Sequence, residues 1–248
     1  NGELQISTLV ANKHLLFLNQ KASSSSKVKP PMADELLKYY TAEQLRAHFL
    51  GLNLGNNSAS FSPKKFNPDA KEEEVDVVLK EGNLLTNVYN KILRTLFYGW
   101  QKYFNGIVPY GDVSQDVLKD CVKTILKYEK FMAQTKFHMI TYELDTFIRN
   151  INKYWIANAK ENEPAKLKQA IIDCLHMSKV AMVLLHPIAP NSCEKLAKFL
   201  KLNENVFSWD NIEKPIYDFV EDKNNYIPEF LEPKQDFFKK HPSQFKGD

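Results

Sequence analysis

The sequence predicts a mainly α-helical protein, an antiparallel helical bundle preceded by a short strand-and-loop segment. Three observations carry this. From residue 67 to about 204 apolar residues recur at helical spacing with only short polar breaks between them. The single strand-like run, Leu15-Leu16-Phe17-Leu18, lies near the start and ends at Asn19 and a serine tract. The composition is that of a folded chain, 44% hydrophobic and 12% aromatic over 248 residues, enough for one large domain with an appendage.

Taken in order, residues 1–29 read as strand and loop. Pro30 and Pro31 open a helix from about Met32 to Tyr40. A second helix runs from about Ala42 to Gly51, started by a capping box of Thr41 and Gln44. Residues 51–66 are rich in Gly, Asn and Ser and read as a linker or surface loop. Asn67-Pro68 then caps the first bundle helix, whose apolar stripe is Leu85, Val88, Ile92, Leu96 and Trp100. The next stripes are Leu118, Cys121, Ile125, Tyr128 and Met132, then Ile140, Leu144, Phe147, Ile151 and Tyr154. Pro164 opens a fourth helix with Leu167, Ile171, Cys174, Met177, Ala181 and Leu184 inside. The turn at Leu185–Pro190 breaks it, and a shorter helix follows from about Ser192 to Leu202. This divides the chain into residues 1–66, a bundle over 67–204, and an aromatic, proline-containing tail over 205–248 that is expected to pack on the bundle.

Several classes of function are disfavoured at this stage. No apolar run reaches membrane-spanning length, and no basic-then-apolar leader opens the chain, so no membrane partner is expected. The chain lacks an initiator Met and reads as cut from a longer parent. Cys121, Cys174 and Cys193 have no C-x-x-C spacing and read as structural thiols of a reducing, cytoplasmic compartment; no metal site is expected. A net charge of +3 is too small to argue for nucleic acid on its own. Thirty lysines accompany only three arginines, Arg46, Arg94 and Arg149, which single out the positions where a planar fork is used.

The first bundle helix carries the sharpest signal. Projected at 100° per residue, Asn83, Asn87, Asn90, Arg94 and Gln101 fall opposite the apolar stripe. Amides donate and accept together, and guanidinium pairs bidentately or stacks, a set of groups suited to unpaired base edges. A merely solvated face is the alternative.

Asn90-Lys91-Ile92-Leu93-Arg94 resembles the N-x-x-x-R element of the anticodon-binding domain of methionyl-tRNA synthetases, members of class I of the aminoacyl-tRNA synthetases. Phe104-Asn105-Gly106-Ile107-Val108 is similar to the F-D/N-G-x-V stretch ending that helix in the family. Asn152-Lys153-Tyr154 resembles its N-R/K-Y helix end, with Trp155 following directly where the family has a longer segment ending in Pro-Trp. Leu184–Pro190 is similar to the L-x-P-x-x-P turn of the class. Lys21-Ala22-Ser23-Ser24-Ser25 resembles the K-M-S-K-S loop that steadies ATP phosphates, with Ala22 for Met and Ser24 for the second Lys; Lys27 lies near enough to substitute.

The resemblance implies a class Ia anticodon-binding bundle joined to the end of a catalytic nucleotide-binding fold. It implies Lys21, Ser23 and Ser25 as what remains of an ATP loop, and Asn90, Arg94 and Trp155 as contacts to a CAU anticodon. In the parent, with ATP and Mg, this would serve attachment of methionine to tRNA; the partners are tRNA and the missing N-terminal catalytic domain, not DNA. The H-I-G-H motif, methionine pocket and zinc knuckle are absent from these residues, so the isolated chain is expected to be inactive. A synthetase-like paralogue repurposed for protein interaction or regulation is the competing expectation. Arg149 is read as an intrahelical partner of Asp145, and His186 as a cap or packing residue.

Overall fold

The computed structural model describes residues 9–21, 29–64, 67, 69 and 76–245. The protein is mainly α-helical. Strand β1 (Leu15–Phe17) pairs in parallel with β2 (Ala59–Phe61), and between them lie the one-turn helix α1 (Ala33–Leu36) and α2 (Ala42–Gly51). Helix α3 (Val77–Asn83) runs through a π-helical segment, Leu84–Tyr89, into α4 (Asn90–Tyr103). Helices α5 (Gln115–Ala133), α6 (Phe137–Asn158) and α7 (Pro164–Leu185) complete the long bundle, followed by α8 (Pro190–Phe199) and a tail of 3-10 turns.

Local chemistry accounts for the element boundaries. Thr41 Oγ1 accepts from Gln44 N at 3.2 Å while Gln44 Oε1 accepts from Thr41 N at 2.9 Å, the reciprocal box expected at the start of α2. Helix α4 stops where Asn105 and Gly106 adopt left-handed backbone (φ 52° and 81°), and Gly106 N and Phe104 N both donate to Trp100 O. The short α5–α6 and α6–α7 connections force neighbouring helices to run antiparallel. Helix α7 is central and buried on every side from Ala170 to Leu185.

Three expectations are corrected. The helix expected over 32–40 is only one turn long, because Leu37–Tyr40 turn away to insert Tyr40 into a small core with Leu36, Leu45, Phe61 and Val78. The linker expected over 51–66 contains β2, whose partner lies some 44 residues back in the chain. The helix expected at Asn67 begins at Val77, where buried Asp76 caps it by accepting from Val78 N at 2.8 Å. Asn67 instead accepts from Asp69 N at 3.0 Å in a local turn, and Pro68 lies outside the described residues. Asp76 also takes hydrogen bonds from Tyr40 OH and Lys64 N, so one carboxylate fastens three segments of the smaller core.

The large core unites the bundle with the tail: Val206, Ile212, Phe219, Tyr226, Leu231, Phe237 and Phe238 all enter it. Two buried ionic groups are built into α7. Asp173 accepts from Ser114 N (2.8 Å), Ser114 Oγ (2.7 Å), Tyr154 OH (2.6 Å) and Gln169 Nε2 (3.1 Å). Lys179 donates to the carbonyls of Asn211, Ile212 and Lys214, closing the start of the tail against α7, and burial lowers its ammonium to about 8.

Candidate nucleic-acid interface

The π-helical segment decides how the amide face is distributed. A π turn is wider than an α turn, so residues before and after it lose the phase of a continuous α-helix. Asn87 stands exposed and donates its amide to Asn83 Oδ1, giving two adjacent surface amides. Asn90, one turn on, is 1% exposed. Its Nδ2 donates to Phe238 O (2.8 Å) and Thr86 O (3.0 Å), and its Oδ1 accepts from Phe238 N (3.1 Å) and Phe237 N (3.3 Å). Every hydrogen-bonding group of this amide is therefore used inside the protein, three of the four bonds going to the tail. A base edge could reach Asn90 only after residues 236–238 had left.

Arg94 is half-buried and pairs with Asp236 of the same tail segment. Gln101 Nε2 lies 3.4 Å from Leu231 O, so the tail tracks along α4. Trp155 is half-buried and packed on the large core. Gly99 makes this packing possible: a Cβ there would sit 3.3 Å from Trp155 Cη2. Asn90, Arg94 and Trp155 are thus brought to the α4 region, the first two under the tail and the third against Gly99 on a side of α4 near Ile171.

Of the residues expected to form a phosphate loop, Lys21 is exposed just after a tight turn in which Leu18 and Asn19 both have positive φ. Ser23 and Ser25 lie outside the described residues. The other arginines have structural partners. Arg46 donates to Pro187 O, linking α2 to the turn after α7, and Arg149 Nε meets both carboxylate oxygens of Asp145 at 2.9 Å. His186 stacks on Phe207 with ring centroids 4.1 Å apart. All three cysteines are free and buried, and burial pushes the Cys121 thiol up to about 12.

Sequence reasoning missed the lysine-lined surface of α5. Lys119, Lys123 and Lys130 surround the exposed Leu126 and the half-buried Leu118 and Val122, while Lys127 is held by Glu143 at 2.8 Å. Its signal, four lysines at three- and four-residue spacing, was present but hidden among thirty. Among the described residues no helix is long and apolar enough to cross a membrane, and no group of three His, Cys, Asp or Glu side chains could hold a metal ion.

No protein-family model matches the chain. Against curated proteins, it is 26% identical over 207 residues to a "Methionine--tRNA ligase" of Bacillus cereus strain Q1, covering 81% of this chain and 36% of that protein. The corresponding ligase of Bacillus anthracis strain A0248 is 25% identical over the same share. The chain therefore spans about a third of the length of these relatives. Among solved structures, Mycobacterium tuberculosis methionyl-tRNA synthetase bound by methionyl-adenylate superposes with a TM-score of 0.68 at 17% identity, covering 92% of this chain and 43% of that one. The apo form of the same enzyme gives a TM-score of 0.60 over 83% of this chain. By sequence, then, the chain is linked to methionine–tRNA ligases, and it has the fold of the corresponding part of a methionyl-tRNA synthetase.

Proposed function

We propose that this chain is the C-terminal, tRNA-recognising part of a methionyl-tRNA synthetase, reading a CAU anticodon through the surface of the α3–α4 helix. The observation that supports this most is that one contiguous stretch of methionine–tRNA ligases is matched in sequence over 81% of the chain, with the same fold over 92%. Asn83 and Asn87 are the amides of that helix left at the surface, and they are the residues proposed to meet base edges. Asn90 and Arg94 hold the tail that borders this surface, and Trp155 contributes its open edge for stacking. The lysines of α5 and Lys91 supply phosphate contacts, which position RNA without reading it.

In the parent, ATP with Mg would supply the activating chemistry for methionine. Lys21, with Ser23 and Ser25, would hold phosphate at the edge of that site, in a cytoplasmic enzyme. Alone, the chain is proposed to bind RNA without aminoacylating it.

Binding of a methionine-tRNA anticodon stem-loop at fixed salt to wild type, Asn87→Ala and Lys91→Ala tests this. Asn87→Ala should weaken CAU binding about tenfold and reduce base preference, whereas Lys91→Ala should weaken every loop alike. The occupancy of Asn90 and Arg94 by the tail favours one second reading, a synthetase-like module repurposed for protein contacts. That reading gains if Asn87→Ala leaves RNA binding unchanged.

A further inference from the structure

A cleft of about 300 Å³ opens where α2, α3 and α6 meet, a volume at the lower end of small-molecule sites. One wall is made of small residues: Ala47 and Gly51, four apart on α2, leave room where larger side chains would close the gap. The opposite wall is a single row on α6, Tyr142, Asp145 and Arg149, whose spacing of three and four residues puts them on one face. Leu85, Leu144 and Ile188 form an apolar floor. The rim carries Lys80 and Glu81.

The polar groups at this rim are only half used. Arg149 spends its Nε on Asp145, and its two terminal amino groups have no partner among the described residues. Lys80 likewise has no ionic partner there. Glu81 Oε2 is held 2.6 Å from Nδ1 of His48, which fixes the carboxylate, and Oε1 has no hydrogen-bond partner among the described residues. Tyr142 leaves 66% of its surface uncovered beside this apolar floor. An aromatic face, an apolar floor, a carboxylate acceptor, the terminal amino groups of an Arg149 already paired with Asp145, and the ammonium of Lys80 make a defined combination. A planar ring would lie on the floor against Tyr142, a ring amine would reach Glu81, and an anionic group would meet Arg149 and Lys80.

We propose that this cleft binds a purine nucleotide carrying an amino group, its base between Tyr142 and the α2 wall and its phosphate on Arg149 and Lys80. The inference is independent of the anticodon reading, since it uses none of the residues on that surface. The same chemistry could arrive as a free mononucleotide or as an unpaired adenosine within RNA.

Calorimetric titration of the chain with AMP, CMP, adenosine and inorganic phosphate tests it, with the dinucleotide ApA as a further arm. AMP should bind, with CMP, adenosine and phosphate each about tenfold weaker or worse. Gly51→Leu should fill the cleft and abolish AMP binding. A Cβ at Gly51 meets nothing closer than 3.6 Å, so the backbone admits a side chain there, and circular dichroism checks that the leucine variant is folded. Tyr142→Ala, at an exposed position, should weaken AMP about tenfold by removing the stacking face. Tighter binding of ApA than of AMP would assign the site to RNA, and equal binding to free nucleotide. The proposal is overturned by absence of AMP binding up to about 10 mM, by phosphate binding as well as AMP, or by AMP binding untouched in both variants.

Discussion

Replacing Asn90 with alanine separates a structural role for this residue from a role in reading RNA. The wild-type amide makes four hydrogen bonds at 1% exposure, two accepted from the backbone of Phe237 and Phe238 and two donated to Phe238 O and Thr86 O. The donation to Thr86 O would be lost, and the N–H and C=O of Phe238 would be left buried with nothing to pair with. Each buried unsatisfied group costs about 1–3 kcal/mol, so the loss should be about 2–4 kcal/mol. That is a large part of the roughly 5–15 kcal/mol by which domains are stable. Urea unfolding would show it as a midpoint lower by about 1–2 M. The loosened strand is the tail, so limited proteolysis should cut near residues 232–245 before any other site. Asn87→Ala, at an exposed position of the same helix, should change stability by no more than about 0.5 kcal/mol. If Asn90→Ala were as stable as wild type, and its tail as resistant, the tail-clamp account would fail.

Further outcomes follow from other buried groups. His176 is 1% exposed and neither ring nitrogen has a partner among the described residues; burial lowers its pKa from 6.5 to about 4. The unfolded chain therefore takes up this proton at higher pH than the folded one, so stability is full above pH 6.5 and falls as pH drops towards 4, by about 3 kcal/mol; His176→Leu should remove that part of the acid sensitivity in denaturant titrations at pH 7 and pH 4.5. Asp76→Ala removes the α3 cap and the acceptor for Tyr40 and Lys64, and should cost about 2–3 kcal/mol by thermal or urea unfolding. Trp155→Ala should cost about 2 kcal/mol, less than a fully buried tryptophan, because its ring packs on Gly99 with one edge open. Asp236→Asn should change stability by no more than about 1 kcal/mol, since its ion pair with Arg94 is partly solvated.

The periodic part of the fold was legible in the sequence. The stripe from Leu167 to Leu184 is wholly buried, and the Thr41–Gln44 box starts α2 where its residues say it should. What was not legible depends on contacts distant in sequence or on a change of helical phase. β2 is three residues long and has no alternation of its own; only its pairing with β1 makes it a strand. A projection at constant angle joined Asn83, Asn87, Asn90 and Arg94 into one face, and the π-helical turn splits it. Nothing in the local pattern around Asn90 indicates that residues nearly 150 positions later will fill its hydrogen bonds. Asp173, His176 and Lys179 show the same limit: their helix is surrounded on all sides, so polar residues that would elsewhere face water lie inside. Arg149, in contrast, meets Asp145 as its four-residue spacing indicated, a contact that needs only the helix itself.

The most direct test of anticodon recognition compares binding of this chain to a methionine-tRNA anticodon stem-loop and to the same loop with one anticodon base changed, at one moderate salt concentration. The account predicts a preference for CAU of tenfold or more, as expected from about 1–3 kcal/mol per correctly read base. Equal affinity for both loops, falling together as salt rises, would contradict it and leave only lysine charge at work.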